Sequence, residues 1–162
     1  MRMNSRYNLR AHYVLTGACF FFAACGPTAV PPAASLPPSA PLPSWYAPAV
    51  DELTALDTQA KGLMQQKKSA EAAALIVKGE AMSQRLLAVP QPTLAATEAA
   101  SDLDELYGRM LFSNRNYGWA RLMFQKNLAR WRYWKPKTPE TAERLKAAEK
   151  EIADCDRNLS SG

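Results

Sequence analysis

Histidine is all but missing from this chain of 162 residues, with His12 as the single example. It precedes an apolar run near the N-terminus, so a chain that loses that run keeps no imidazole. Without one there is no histidine base for a serine or cysteine nucleophile and no histidine-based metal site. Cysteine is scarce as well: of Cys19, Cys25 and Cys155, the first lies inside the apolar run and would be lost with it, and if Cys25 is modified Cys155 has no partner, so no disulfide framework is expected. Long hydrophobic stretches are lacking too. The run Tyr13 to Ala24 is about a dozen residues, well short of the roughly 20 that span a bilayer as a helix. Nor is there a real excess of one charge, although the formal net charge is +5. Arg2, Arg6 and Arg10 lie before Cys25 with no acid beside them, and setting them aside leaves 17 basic against 15 acidic residues. That near balance argues against a general nucleic-acid binder.

What is present near the start has a clear order. Met1 to His12 carries three arginines, and the apolar stretch after it has the length of a signal-peptide core. At its end, Phe22-Ala23-Ala24-Cys25-Gly26 resembles the lipobox of bacterial lipoproteins, in which small residues precede a cysteine that is acylated and becomes the new N-terminus. Phe22 stands where that family usually has leucine. The resemblance implies lipid on Cys25 and attachment to a membrane of the cell envelope. Gly26 is not acidic, which implies the periplasmic side of the outer membrane over the inner membrane. Ordinary signal cleavage near Cys25–Gly26 would instead give a soluble secreted product. Acyl chains contribute about 0.8 kcal/mol per buried CH₂ and more than one is needed for stable anchoring, a need that a triacylated cysteine meets.

Eight of the 12 prolines lie between Pro27 and Pro48. Pro27 to Pro43 has neither helical nor strand periodicity and predicts an extended spacer of about 50 Å at most. The expected organisation is a signal peptide over 1–24, a lipidated cysteine with a Pro/Ala-rich linker over 25–48, and a helical domain over 49–159.

From Ala49 the apolar period predicts an all-α body of about five antiparallel helices. The first spans about Ala49 to Gln66, with Leu53, Leu56, Ala60, Leu63 and Met64 at helical spacing. Ser69 reads as the cap of the second, about Ala70 to Ala88, which stops before Pro90 and Pro92. Thr93 caps a third to about Phe112. Asn116 caps a fourth, Tyr117 to Trp134, ended by Pro136. Thr138-Pro139-Glu140 starts a fifth, to about Asn158, with a cap, a proline at the first helical position and an acid beside the dipole. Leu145, Ala148, Ile152, Cys155 and Leu159 give it one narrow apolar seam, as a terminal capping helix requires.

Gly62 to Ala74 and Gly108 to Ala120 share a pattern: a glycine in one helix, a polar turn, and an alanine twelve residues on in the next. Small residues at that spacing let paired helices approach closely. Here the chain resembles the tetratricopeptide-repeat family, whose small residue falls on Gly62 and Gly108, its alanine on Ala74 and Ala120, its later aromatic on Phe124 and its later alanine on Ala81. The copies depart from it at Lys78 and Asn127, and they lie 46 residues apart where the family repeats at about 34. A degenerate pair of units plus a capping helix fits these residues, and so does an unrelated helical bundle. Two units leave apolar surface to cover, so an envelope protein or a second copy is an expected partner.

The resemblance implies a peptide groove lined by Gln59, Leu63 and Gln66 from one unit and Glu105, Arg109 and Phe112 from the other. A second candidate surface is basic and aromatic: Arg121, Arg130, Arg132, Tyr133, Trp134 and Lys135, within the acid-free stretch Arg109 to Lys137. The same stretch also reads as core aromatics with solvated charges. Asp102, Asp104 and Glu105 read as surface acids at a helix start, and Cys155 as a buried inert thiol. The expected function is a lipid-anchored protein-binding or scaffolding module of the cell envelope, not an enzyme, with no cofactor, no metal and no nucleic-acid partner. The alternative is an enzyme or accessory acting on cell-wall polymer through carboxylates such as Glu98, Asp102, Asp104 and Glu105.

Overall fold

A computed structural model describes residues 41–161. The expected signal peptide, the lipidation at Cys25 and most of the linker lie outside the described residues. Five helices follow one another with no strand among the described residues: α1 (Tyr46–Gln65), α2 (Ser69–Leu87), α3 (Leu94–Ser113), α4 (Tyr117–Tyr133) and α5 (Pro139–Ser160). The all-α architecture is as the sequence predicts.

The first helix starts three residues before the expected boundary at Ala49, inside what the sequence assigns to the linker. The cause is Tyr46, which is 2 % exposed and whose hydroxyl accepts a hydrogen bond from the Thr93 amide at 3.1 Å. Pro48 is compatible with this because the first turn of a helix has no amide partner to lose. Helix ends elsewhere follow their chemistry. The Thr93 hydroxyl accepts from the Ala96 amide, and Thr138 forms a reciprocal capping box with Thr141. Ser69 is not a cap: it is the first residue of α2, preceded by Lys68, and Asn116 precedes α4 without capping it through its side chain.

Each short turn folds a helix back on the one before it, so α1 packs on α2, α3 on α4 and α5 on α4, while α3 also meets α1 and α2. Two apolar clusters result. One joins α1, α2 and α3 through residues such as Leu53, Ala60, Ile76, Leu86 and Leu103. The other joins α3, α4 and α5 around Ala120, Phe124 and Cys155. On α5 the apolar seam is buried at Ala148 and Cys155 and ends there, since Leu159 is 50 % exposed.

The two helix pairs repeat at 48 residues, not 46. Their first helices begin at Tyr46 and Leu94, and their second at Ser69 and Tyr117. The turns also superpose in their bonding. The amides of Gln66, Lys67 and Lys68 donate to the carbonyls of Gly62, Met64 and Leu63, and those of Asn114, Arg115 and Asn116 donate to Met110, Phe112 and Leu111. Lys67 and Arg115 both take the left-handed conformation, at φ 62 and φ 61, which closes a helix C-terminus in this way. In this register Ala60 matches Gly108, and Ala72 matches Ala120, both fully buried.

That register corrects the equivalences read from the sequence. A Cβ added to Gly62 would meet nothing, so no helix approaches there. Ala74 and Ala81 are exposed. Gly108 is a real point of close approach, because a Cβ there would lie 2.6 Å from Phe124 Cε1.

Candidate functional site

The expected groove is half assembled. Arg109 and Phe112 on α3 meet α4 and α5 around a cleft of about 320 Å³, lined also by Phe124, Lys150, Glu151 and Asp154, while Glu105 reaches it only through Arg109. Phe112 and Phe124 supply an apolar floor, and the rim is charged. Arg109 bridges two carboxylates, Glu105 at 2.6 Å and Glu151 at 3.1 Å. Lys150 pairs with Asp154 at 2.9 Å, and Arg157 pairs with Asp154 as well. The α1 residues of the expected groove stand apart from this cleft: Gln59 and Gln66 are exposed and Leu63 is half-buried against the first cluster.

Burial, reinforced by the charge on Glu105, pushes the Glu151 carboxyl up to about 7 despite Arg109 beside it. Asp154 moves the other way, held below the usual carboxylate range by its hydrogen bond from Lys150. Two acids three residues apart on one helix therefore sit in one cleft in different states near neutral pH. Sequence reasoning overlooked Glu151, although its position between Ala148 and Cys155 marks it as a charge on the buried seam of α5.

Asp102, Asp104 and Glu105 are not surface acids at a helix start. They lie in the middle of α3, and Asp104 is 4 % exposed. Its two oxygens take Lys126 at 2.6 Å and Arg130 at 2.9 Å. Arg144 of α5 holds Asp102 at 2.7 Å and reaches Glu98 at 3.8 Å. All four carboxylates of the enzymatic alternative are thus engaged by cations. Asp57, 5 % exposed, pairs with Lys61 at 2.6 Å while its Oδ1 is buried without a hydrogen-bond partner. Burial raises its pKa above the ordinary value.

The six residues of the expected basic and aromatic surface divide. Arg121 is committed to Asp156 at 2.6 Å, and Arg130 to Asp104. Trp134 is half-buried and packs edge-on against Trp131. Only Arg132, Tyr133 and Lys135 stand exposed. Trp119, an aromatic of the same acid-free stretch, is 65 % exposed, and Leu122, which the sequence did not single out, is 45 % exposed on the same helix.

A second cavity of about 500 Å³ lies between α1 and α2, where Arg85 stacks over Trp45 at 3.9 Å and Lys78 pairs with Glu52. Cys155 is fully buried, and burial pushes its thiol up, away from the reactive thiolate. Among the described residues no group of three or more His, Cys, Asp or Glu is placed to hold a metal, and no helix is long and apolar enough to cross a membrane. No family model matches the chain, and no curated protein or solved structure shows significant similarity to it.

Proposed function

We propose that this chain is a lipid-anchored protein of the cell envelope whose helical body binds or scaffolds another protein. The observation that carries the binding reading is the 48-residue repetition of a helix pair with the same turn. Stacked pairs of this kind present the first helix of each unit along one face, which serves as a docking surface for an extended peptide or a partner helix. In the 48-residue register the resemblance to tetratricopeptide units falls on other residues, at a period further from the family's 34. Ala60 and Gly108 take the small position, Ala72 and Ala120 the alanine, and Ile76 and Phe124 the later large residue. The longer period follows from helices of 20, 19, 20 and 17 residues. At the α3 end of that face, where α4 and α5 adjoin, the Phe112–Phe124 floor suits one apolar side chain, and the Arg109–Glu151 rim suits a polar backbone beside it.

The anchor reading rests on the leader and on Cys25, and its test is separate. The intact mass of the native product is expected to lack residues 1–24 and to carry acyl chains, and Cys25→Ser is expected to make the protein extractable from the membrane fraction by high salt, which the acylated chain resists. A bare Cys25 or a retained Met1 overturns the anchor. For the binding face, capture from detergent-solubilised envelope is expected to yield a defined partner that is lost on the double substitution Arg109→Ala/Lys150→Ala. Retention of every captured protein by that variant removes the cleft from the reading.

One observation favours a second reading, a carboxylate-dependent enzyme or accessory acting on cell-wall polymer. Glu151 and Asp154 share a cleft with their pKa values pushed apart, the arrangement in which one carboxyl acts as acid while the other stays ionised. Wall hydrolysis that disappears with Glu151→Gln and with Asp154→Asn, the fold being intact, would establish it in place of the binding module.

A further inference from the structure

Three of the large apolar side chains that stand exposed belong to one helix: Trp119, Leu122 and Tyr133, at 65 %, 45 % and 78 %. Their spacing, with Lys126 and Ala129 between them, runs three, four, three and four residues, so they form one stripe along the outer side of α4. Arg115 stands exposed in the turn before the helix, and Arg132 and Lys135 stand exposed at its far end. These three cations have no ion-pair partner among the described residues, whereas Lys126 is already held by Glu80 at 3.3 Å and Asp104 at 2.6 Å. No acid occurs between Arg109 and Lys137. The remaining faces of α4 are spoken for: Ala120, Phe124, Asn127 and Trp131 are buried, and Arg121 reaches across to Asp156 of α5.

We infer that this outer stripe of α4 is a membrane-surface contact that lies flat on anionic phospholipid, with Trp119 and Tyr133 at its two ends and Arg115, Arg132 and Lys135 facing the headgroups. Aromatic rings with one polar atom settle at the headgroup level, and each unpaired cation near an anionic surface adds about 1 kcal/mol. The charge pattern decides between occupants. An exposed apolar stripe alone would fit any protein partner, but unpaired cations at both ends, with the acids beside its middle, Glu80 and Asp104, already neutralised by Lys126 and Arg130, match a surface of uniform negative charge. The stripe lies away from the α3–α5 cleft, so the contact would leave that cleft free. It does not depend on the lipid at Cys25.

The test uses the full chain carrying Cys25→Ser, so that no acyl chain contributes, and vesicles of either pure phosphatidylcholine or equimolar phosphatidylcholine and phosphatidylglycerol. Binding is expected to the anionic vesicles, weakened by salt. It is expected to fall about a hundredfold in the triple variant Arg115→Ala/Arg132→Ala/Lys135→Ala, as three such charges imply. A comparable loss is expected in Trp119→Ser/Tyr133→Ser. Circular dichroism and melting temperature should be unchanged in both, since every substituted side chain is exposed. The leader is common to all variants, so binding that survives both sets of substitutions, or that is equal on the two vesicle types, overturns the inference. Self-association of the parent without vesicles, abolished by Trp119→Ser/Tyr133→Ser, would overturn it in favour of a second copy as the occupant.

Discussion

Where α1 carries Leu56, α3 carries Asp104, and where α2 carries Met82, α4 carries Arg130. The backbone of the two helix pairs is one template at an offset of 48 residues, yet the first is closed by apolar packing and the second by a polar network. In the second pair the Trp131 indole donates to Ser101 Oγ at 2.8 Å, and the Asn127 amide donates to the Ser101 carbonyl at 3.0 Å. Arg130 ties Asn127 to Asp104. The corresponding positions of the first pair are Leu53, Gly79 and Ser83. At one close approach the volume is kept, since Ala60 with Ile76 becomes Gly108 with Phe124, whereas Leu53, Gly79 and Ser83 become the larger set Ser101, Asn127 and Trp131. One backbone template therefore accepts either an apolar or a hydrogen-bonded filling, provided each is packed and satisfied.

The largest expected effect comes from breaking the network on one side. Asp104→Ala leaves Arg130, whose side chain is 13 % exposed, without its carboxylate, and loss of one partner of a buried pair costs about 3–5 kcal/mol. Importing the first pair's solution, Asp104→Leu with Arg130→Met, is expected to restore most of that, because a buried ion pair and a packed apolar pair are often of similar worth. Urea denaturation of the single and double variants measures both. A double variant as weak as Asp104→Ala would show that the pairs are not interchangeable.

Gly108→Ala is the next test. The new methyl would meet the Phe124 ring at 2.6 Å, and overpacking costs about 1–3 kcal/mol, offset in part by the better helix propensity of alanine, up to about 1 kcal/mol. Adding Phe124→Ile rebuilds the Ala60–Ile76 pair, and a double-mutant cycle should show favourable coupling between the two changes. No coupling would mean that the two close approaches are not equivalent.

A smaller effect, on the order of 1 kcal/mol, separates the α5 side of the second pair. The Glu151 carboxyl is raised from 4.5 to about 7, so between those values the folded chain holds a proton that the unfolded chain has lost. Stability from this group is therefore present below the unfolded value and declines as pH rises to about 7. Glu151→Gln removes that decline. Melting curves are expected to show the variant gaining on the parent at pH above 7 and not below the unfolded value. A constant difference across pH would mean that Glu151 ionises normally.

The number and order of helices were legible because apolar period, prolines and caps agree along the whole body. Thr93 and Thr138 read correctly, since a threonine cap leaves a local signature. The register of the repeat did not, because Gly62 and Gly108 are the same residue type at different depths, and only contact distinguishes a glycine against Phe124 from one against nothing. The turns hid for a related reason. Their left-handed residues are Lys67 and Arg115, where sequence reasoning looks for glycine or asparagine. Part of the cleft was foreseen in Arg109 and Phe112, but Glu151 and Asp154 come from a helix 40 or more residues away. Arg121 and Arg130 looked like free surface because their partners, Asp156 and Asp104, are distant in sequence.

The smallest effect concerns helix starts, where the first helix of each later unit differs from the second. Thr138 accepts from the Thr141 amide, and Thr141 in return accepts from the Thr138 amide at 2.9 Å, whereas Asn116 makes no such bond before α4. Thr138→Ala should therefore cost about 1 kcal/mol, and Asn116→Ala only a few tenths. The contrast has a structural source. α2 and α4 follow tight turns in which the preceding amides already bond back to the carbonyls of the helix before, at 2.9 Å for Lys68 to Leu63 and for Asn116 to Leu111. The backbone of that turn fixes the entry of the second helix, so a side-chain cap adds little. α3 and α5 follow proline-containing connections with no such closure, and their threonines set the start. Equal losses for the two substitutions would mean that the turn does not fix the second helix.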